Sequence, residues 1–142
     1  MKPKNPLVRR QEAVAATMER FRGKCFAFGS VDCAKMTAFH LRQLGHKVRL
    51  SKAGQYRSLK GAVGALKRLG YDTLPDAMDG HGFARIAPAF CLIGDIVSVR
   101  SEHPIGALAI AAGNGNFLGF HESHEMPTIM LIPEIETAWR VL

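Results

Sequence analysis

Cysteine is scarce in this chain: three residues in 142, an odd number with no Cys-x-x-Cys pair. This excludes a closed disulfide framework and the common structural zinc spacing, and it points to reduced thiols in a cytosolic product. Long apolar runs are also missing, so no membrane span is expected. The basic segment Met1 to Arg10 has no apolar stretch of the signal-peptide kind. There is no internal repeat, low-complexity segment, glycine-rich phosphate cradle, paired-carboxylate site or nucleotide fingerprint. Acidic residues are few, 12 against 19 Lys and Arg, giving a net charge of +7 carried mostly between Lys2 and Arg68. Such an excess suits an anionic partner such as nucleic acid, a membrane or a cell-wall polymer. A solvated basic surface is the simpler account, and no nucleic-acid partner is expected.

What is present is enough for one domain with a core of its own, 47% of the residues being hydrophobic. Residues 1–8 read as a flexible arm and 9–142 as a single domain. Arg9 to Phe21 has a helical stripe of Val14, Met18 and Phe21. Asp32 is a good N-cap for a helix through Leu44, with Gly45 placed to end it. Ser58 caps a third helix through Leu69, stopped by Gly70. Tyr71 to Pro88 reads as irregular, with a short helical turn after Pro75. Strands follow at Asp95–Val99, Ala107–Ala112, Asn116–Phe120 and Thr128–Ile132, the middle two joined by the hairpin signal Gly113-Asn114-Gly115-Asn116. Pro133 opens a final helical turn through Trp139. Helices first and an antiparallel meander second is an α+β layout.

Chemistry centres on Cys33, which opens the Asp32-capped helix. Unpaired N–H groups and the helix dipole favour negative charge there, as an activated thiol requires. A small apolar residue packed at a helix start is the alternative reading of the same cysteine. Asp32 is read as a cap, since its charge opposes a thiolate. Cys25 and Cys91 read as core or near-core packing. His121-Glu122-Ser123-His124-Glu125 is rich in possible ligands but lacks the His-Glu-x-x-His zinc spacing, and Cys91 or His81 would complete a set only by coincidence. No metal or cofactor is expected.

An Asp-Cys pair opening a helix, Gly94-Asp95 starting a strand and a small-residue strand ending in a glycine turn resemble NlpC-type papain-like cysteine peptidases. More closely, the chain resembles a small phage and prophage family of tail-tip-associated proteins with that fold. The resemblance covers residues 9 to 142. It rests on Phe28-Gly29 before Asp32-Cys33, Gly54-Gln55-Tyr56-Arg57-Ser58 leading to Leu66-Lys67-Arg68-Leu69-Gly70, Gly94-Asp95, Ile105-Gly106-Ala107-Leu108 and Ala138-Trp139-Arg140-Val141. It implies a papain-like domain in which N-terminal helices pack on a C-terminal meander. It also implies a protein made in the bacterial host cytoplasm and placed at the virion tail tip beside the hub and distal tail proteins.

In the enzymes the strand after Gly-Asp begins with the catalytic histidine. Aligning its final glycine with Gly113 puts Ala107 in that slot and the third polar residue near Gly119. The resemblance thus implies a structural or assembly protein without a complete catalytic triad, docking through exposed surface around Tyr56 or Trp139. The alternative is an active hydrolase of peptidoglycan peptides, with Cys33 as nucleophile, His103 or His121 as base, His124 in the next turn, and an open groove above the thiol.

Overall fold

The computed structural model describes residues 4–120, 126–132 and 134–142. Helix α1, Pro6–Phe21, starts earlier than its apolar stripe indicates, because Asn5 caps it through Leu7 N–H at 2.8 Å and Pro6 takes the first-turn position. Residues 6–8, expected in a flexible arm, are therefore its first turn. Helix α2, Cys33–Gln43, is capped by Asp32 as expected, and Gly45 beyond it has φ +93°. A 3₁₀ turn at Ser51–Ala53 leads to α3, Leu59–Arg68, capped by Ser58. The helical turn expected near Pro75 is α4, Leu74–Gly80, capped by Thr73, and the rest of the segment expected to be irregular contains the short strand β1, Ala84–Ile86.

Five further strands follow: β2 Ile96–Val99, β3 Ala107–Gly113, β4 Asn116–Gly119, β5 Thr128–Leu131 and β6 Ile135–Arg140. Among the described residues all pairings are antiparallel, and the six-stranded sheet runs β1-β6-β2-β3-β4-β5. The Asn114-Gly115 turn has positive φ at both positions, the mirror-image turn that its sequence requires. β6 corrects the expected final helical turn. Ile135, Thr137 and Trp139 alternate with Glu136, Ala138 and Arg140, and this strand slots between β1 and β2.

The sheet buries both faces. On one, Ile96, Leu108, Ile110, Leu118 and Trp139 meet Val14 and Phe21 of α1 and Met36 and Leu41 of α2. On the other, Val97, Ala109, Ala111, Phe117 and Ala138 form a smaller cluster covered by Ile86, Cys91, Ile132 and Ile135. Trp139 has no exposed surface and donates its indole N–H to Asp79 at 2.9 Å. It therefore offers no docking surface of the kind anticipated for it. No helix among the described residues is long and apolar enough to cross a membrane.

Candidate functional site

The loop before Cys33 closes on itself through paired main-chain hydrogen bonds between Ala27 and Val31, both 2.9 Å. At its tip Gly29 has φ +87°, and a Cβ there would lie 1.9 Å from the carbonyl oxygen of Tyr56. Only glycine allows that approach. The Phe28-Gly29 and Gly54-Gln55-Tyr56 segments thus meet in space.

Asp32, buried, anchors the junction. Its Oδ2 accepts from Gly29 N–H at 2.8 Å and from the Tyr56 hydroxyl at 2.7 Å, while Oδ1 accepts from Lys35 N–H at 2.7 Å. The expected cap is therefore also a clamp between two loops. Burial, then the Asp32 charge and hydrogen bond, push the Tyr56 hydroxyl well above the usual phenol range. Tyr56 is half-buried and tied down, contrary to its reading as free interface.

Beside this clamp opens a cleft of about 930 Å³ whose lining includes Asp32, Cys33, Tyr56, His103, Ala107 and Gly119. Phe26, Phe28 and Phe120 wall one side, packed edge-to-face at 4.9 Å and 5.3 Å between ring centroids. Burial pushes the Cys33 thiol up to about 11. The N–H groups of Leu108, Cys33 and Ala34 favour the thiolate, and the Asp32 charge opposes it. The helix start therefore does not overcome desolvation, and the thiol stays neutral near pH 7.

Ala107 and Gly119, the two positions that the enzyme pattern would fill with a base and its orienting residue, both lie on the cleft. The Leu108 N–H next to Ala107 favours the thiolate form. At Gly119 a Cβ would sit 3.2 Å from the Ala109 methyl, so even that slot is tight. His103 lines the same cleft from the β2–β3 loop. Its ring packs edge-on against Phe28 at 6.1 Å, and among the described residues no hydrogen bond joins it to Cys33. His121 and His124 lie outside the described residues.

Cys25 is exposed on the loop after α1, which overturns its reading as a core residue. Cys91 is half-buried, and burial pushes its thiol up to about 11. His81 donates Nδ1–H to the Ala77 carbonyl, and the described residues contain no group of three His, Cys, Asp or Glu able to hold a metal.

Sequence reasoning missed one buried polar centre. Arg10 donates to Asp95 at 2.8 Å and to the Ile93 carbonyl at 2.9 Å, and it also reaches the main-chain oxygen of Leu142. Asp95 in turn accepts from Leu92 N–H and Val141 N–H. An arginine that follows a largely exposed first helical turn gives no sign of this. The aspartate of Gly94-Asp95 was visible only as part of a motif.

The site and fold define an α+β domain whose helix-opening cysteine lies, as a neutral thiol, in a cleft walled by aromatic rings. The family model described as a domain of unknown function (DUF6950) matches residues 7–141, and the chain belongs to that family. The curated proteins contain no match to it.

Proposed function

We propose that the protein is a phage or prophage tail-tip assembly component, built on an NlpC-type papain-like fold whose catalytic machinery is incomplete. The observation that carries the non-catalytic half is the pairing of a neutral Cys33 with the Ala107 methyl on one cleft. An alanine takes no proton from a thiol, and without a base the nucleophile loses orders of magnitude of rate. The tail-tip half rests on the resemblance of the Gly29, Asp32-Cys33, Tyr56 and Gly94-Asp95 segments to that family. The meeting of two of these segments at Gly29 and Tyr56 supports it. The open cleft, with His103 on its lining, favours a second reading as an active cysteine hydrolase of cell-wall peptides.

The test is the pH dependence of Cys33 alkylation by iodoacetamide. It is run in a Cys25→Ser, Cys91→Ser background, because Cys25 is exposed, with Cys33→Ser as the blank. A midpoint near 11 and no release of fragments from peptidoglycan are expected. A midpoint well below about 8.5 together with turnover would establish the hydrolase instead. Phage carrying Cys33→Ser are expected to assemble normal tails with the protein at the tip. Virions in which antibody labelling finds none of it there would remove the tail-tip assignment.

A further inference from the structure

Charge is divided along this chain. Residues 1–71 hold sixteen of the nineteen Lys and Arg with three of the twelve Asp and Glu, and residues 72–142 hold three and nine. Between Ala34 and Tyr71 there are nine basic residues and no acid.

The fold turns this division into two surfaces. On α3, Ala62, Ala65 and Leu66 face the core. Lys60, Gly64, Lys67 and Arg68, spaced i, i+4, i+7, i+8, share the outer face, and all three of these cations are exposed. None of them forms an ion pair among the described residues. Arg68 donates to the Ala53 carbonyl at 2.9 and 2.6 Å, which brings the 3₁₀ turn with exposed Lys52 alongside. Gly64 adds no side chain of its own to this face, and the Arg68 guanidinium lies over it, 3.5 Å from where a Cβ would be.

The acids gather around the β2–β3 loop. Leu74 N–H donates to the Ile105 carbonyl at 2.9 Å, placing the start of α4, with exposed Asp72 and Asp76, against the loop that carries Glu102. Val99 pairs with Ile135, which brings Glu134 to the same end, and Glu102 and Glu134 line the cleft together, with Arg100 as the one cation of the β2–β3 loop beside them. None of these four is ion-paired among the described residues. Leu131, 75% exposed at the end of edge strand β5, adds an apolar element to the same cleft.

We propose that the outer face of α3 in one copy docks on the acidic, apolar-edged mouth of the cleft in a second copy, head to tail. Each copy carries both halves of the contact: opposite charges that steer and orient it, and an exposed apolar residue, Leu131, at the acidic rim. A polyanion would use only the basic half and be repelled by the other. The contact is heterologous, so it leaves one face of each kind free and lets copies add in one direction until the arrangement closes. It depends neither on the tail-tip assignment nor on the chemistry of Cys33.

Sedimentation velocity of the purified full chain tests it, in about 0.1 M and about 1 M salt, where the screening length falls from about 10 Å to about 3 Å. The wild type is expected to associate with rising concentration at the lower salt and to be monomeric at the higher. Lys60→Gln/Lys67→Gln removes the basic face, and Glu102→Gln/Glu134→Gln removes the acidic one. Each variant alone is expected to be monomeric with an unchanged circular dichroism spectrum. Mixed one to one, they retain one good pair of faces and are expected to form dimers that grow no further. A wild type that stays monomeric at about 0.1 M salt would overturn the proposal without reliance on any variant, and so would association that survives about 1 M salt. A mixture that gives no dimer would overturn it as well. A monomer that instead binds duplex DNA through Lys60 and Lys67 would reassign the basic face to a polyanion.

Discussion

Gly29 is the residue on which the wall beside Cys33 turns. Its positive φ costs a residue with a side chain about 1–2 kcal/mol, and the clash with Tyr56 adds an overpacking penalty of about 1–3 kcal/mol. Gly29→Ala is therefore expected to lower stability by about 2–5 kcal/mol, read as a shift in the urea midpoint. Gly23→Ala is the comparison, since its φ of +71° is similar but nothing lies within 4 Å of its Cβ position. Equal losses at the two sites would show that the Tyr56 contact is unimportant. Asp32 illustrates how much one residue can hide. Its capping role follows from its place before a helix, but the Tyr56 hydroxyl that completes its coordination arrives from 24 residues away.

Among the elements, α1 is fastened to the sheet by the buried Arg10–Asp95 pair, with side chains 3% and 0% exposed. Removing one member of such a pair leaves an uncompensated buried charge and typically costs about 3–5 kcal/mol. Arg10→Met is expected to fall in the lower part of that range, because Arg140 remains 3.6 Å from the other carboxylate oxygen. Chemical denaturation measures it, and a loss under about 1 kcal/mol would mean that the pair is dispensable. Helices α2 and α3 were legible because capping is local: Asp32, Ser58, Gly45 and Gly70 act on neighbours within a few residues. The strands β1 and β6 were not, because neither is stable alone. β6 becomes a strand by pairing on both sides, with β1 and β2, and by burying Trp139 against the helices.

Stability of the whole molecule carries the signature of His40, a fully buried residue between α1 and the sheet. Its Nε2–H donates to the Gly94 carbonyl at 2.8 Å, and burial lowers its pKa below the usual histidine value. The folded state thus holds His40 neutral, while the unfolded chain takes up a proton below about pH 6.5. Unfolding free energy is expected to fall as pH drops through that value and to level off below the depressed folded pKa. His40→Gln should flatten the slope between pH 7 and 5; an unchanged slope would exclude His40 as its source. At the scale of the whole chain, sequence alone determined the α+β order, the capped helices, the Asn114-Gly115 hairpin and the position of Cys33 at a helix start, because periodicity, caps and turns are short-range physics. Tertiary structure alone decided that Gly29 abuts Tyr56, that Ala107 and Gly119 share a cleft with Cys33, and that Trp139 lies in the core. It also decided the state of the thiol. The helix start and nearby N–H groups favour a thiolate, but burial outweighs them, and burial depends on what the rest of the chain packs around the sulfur.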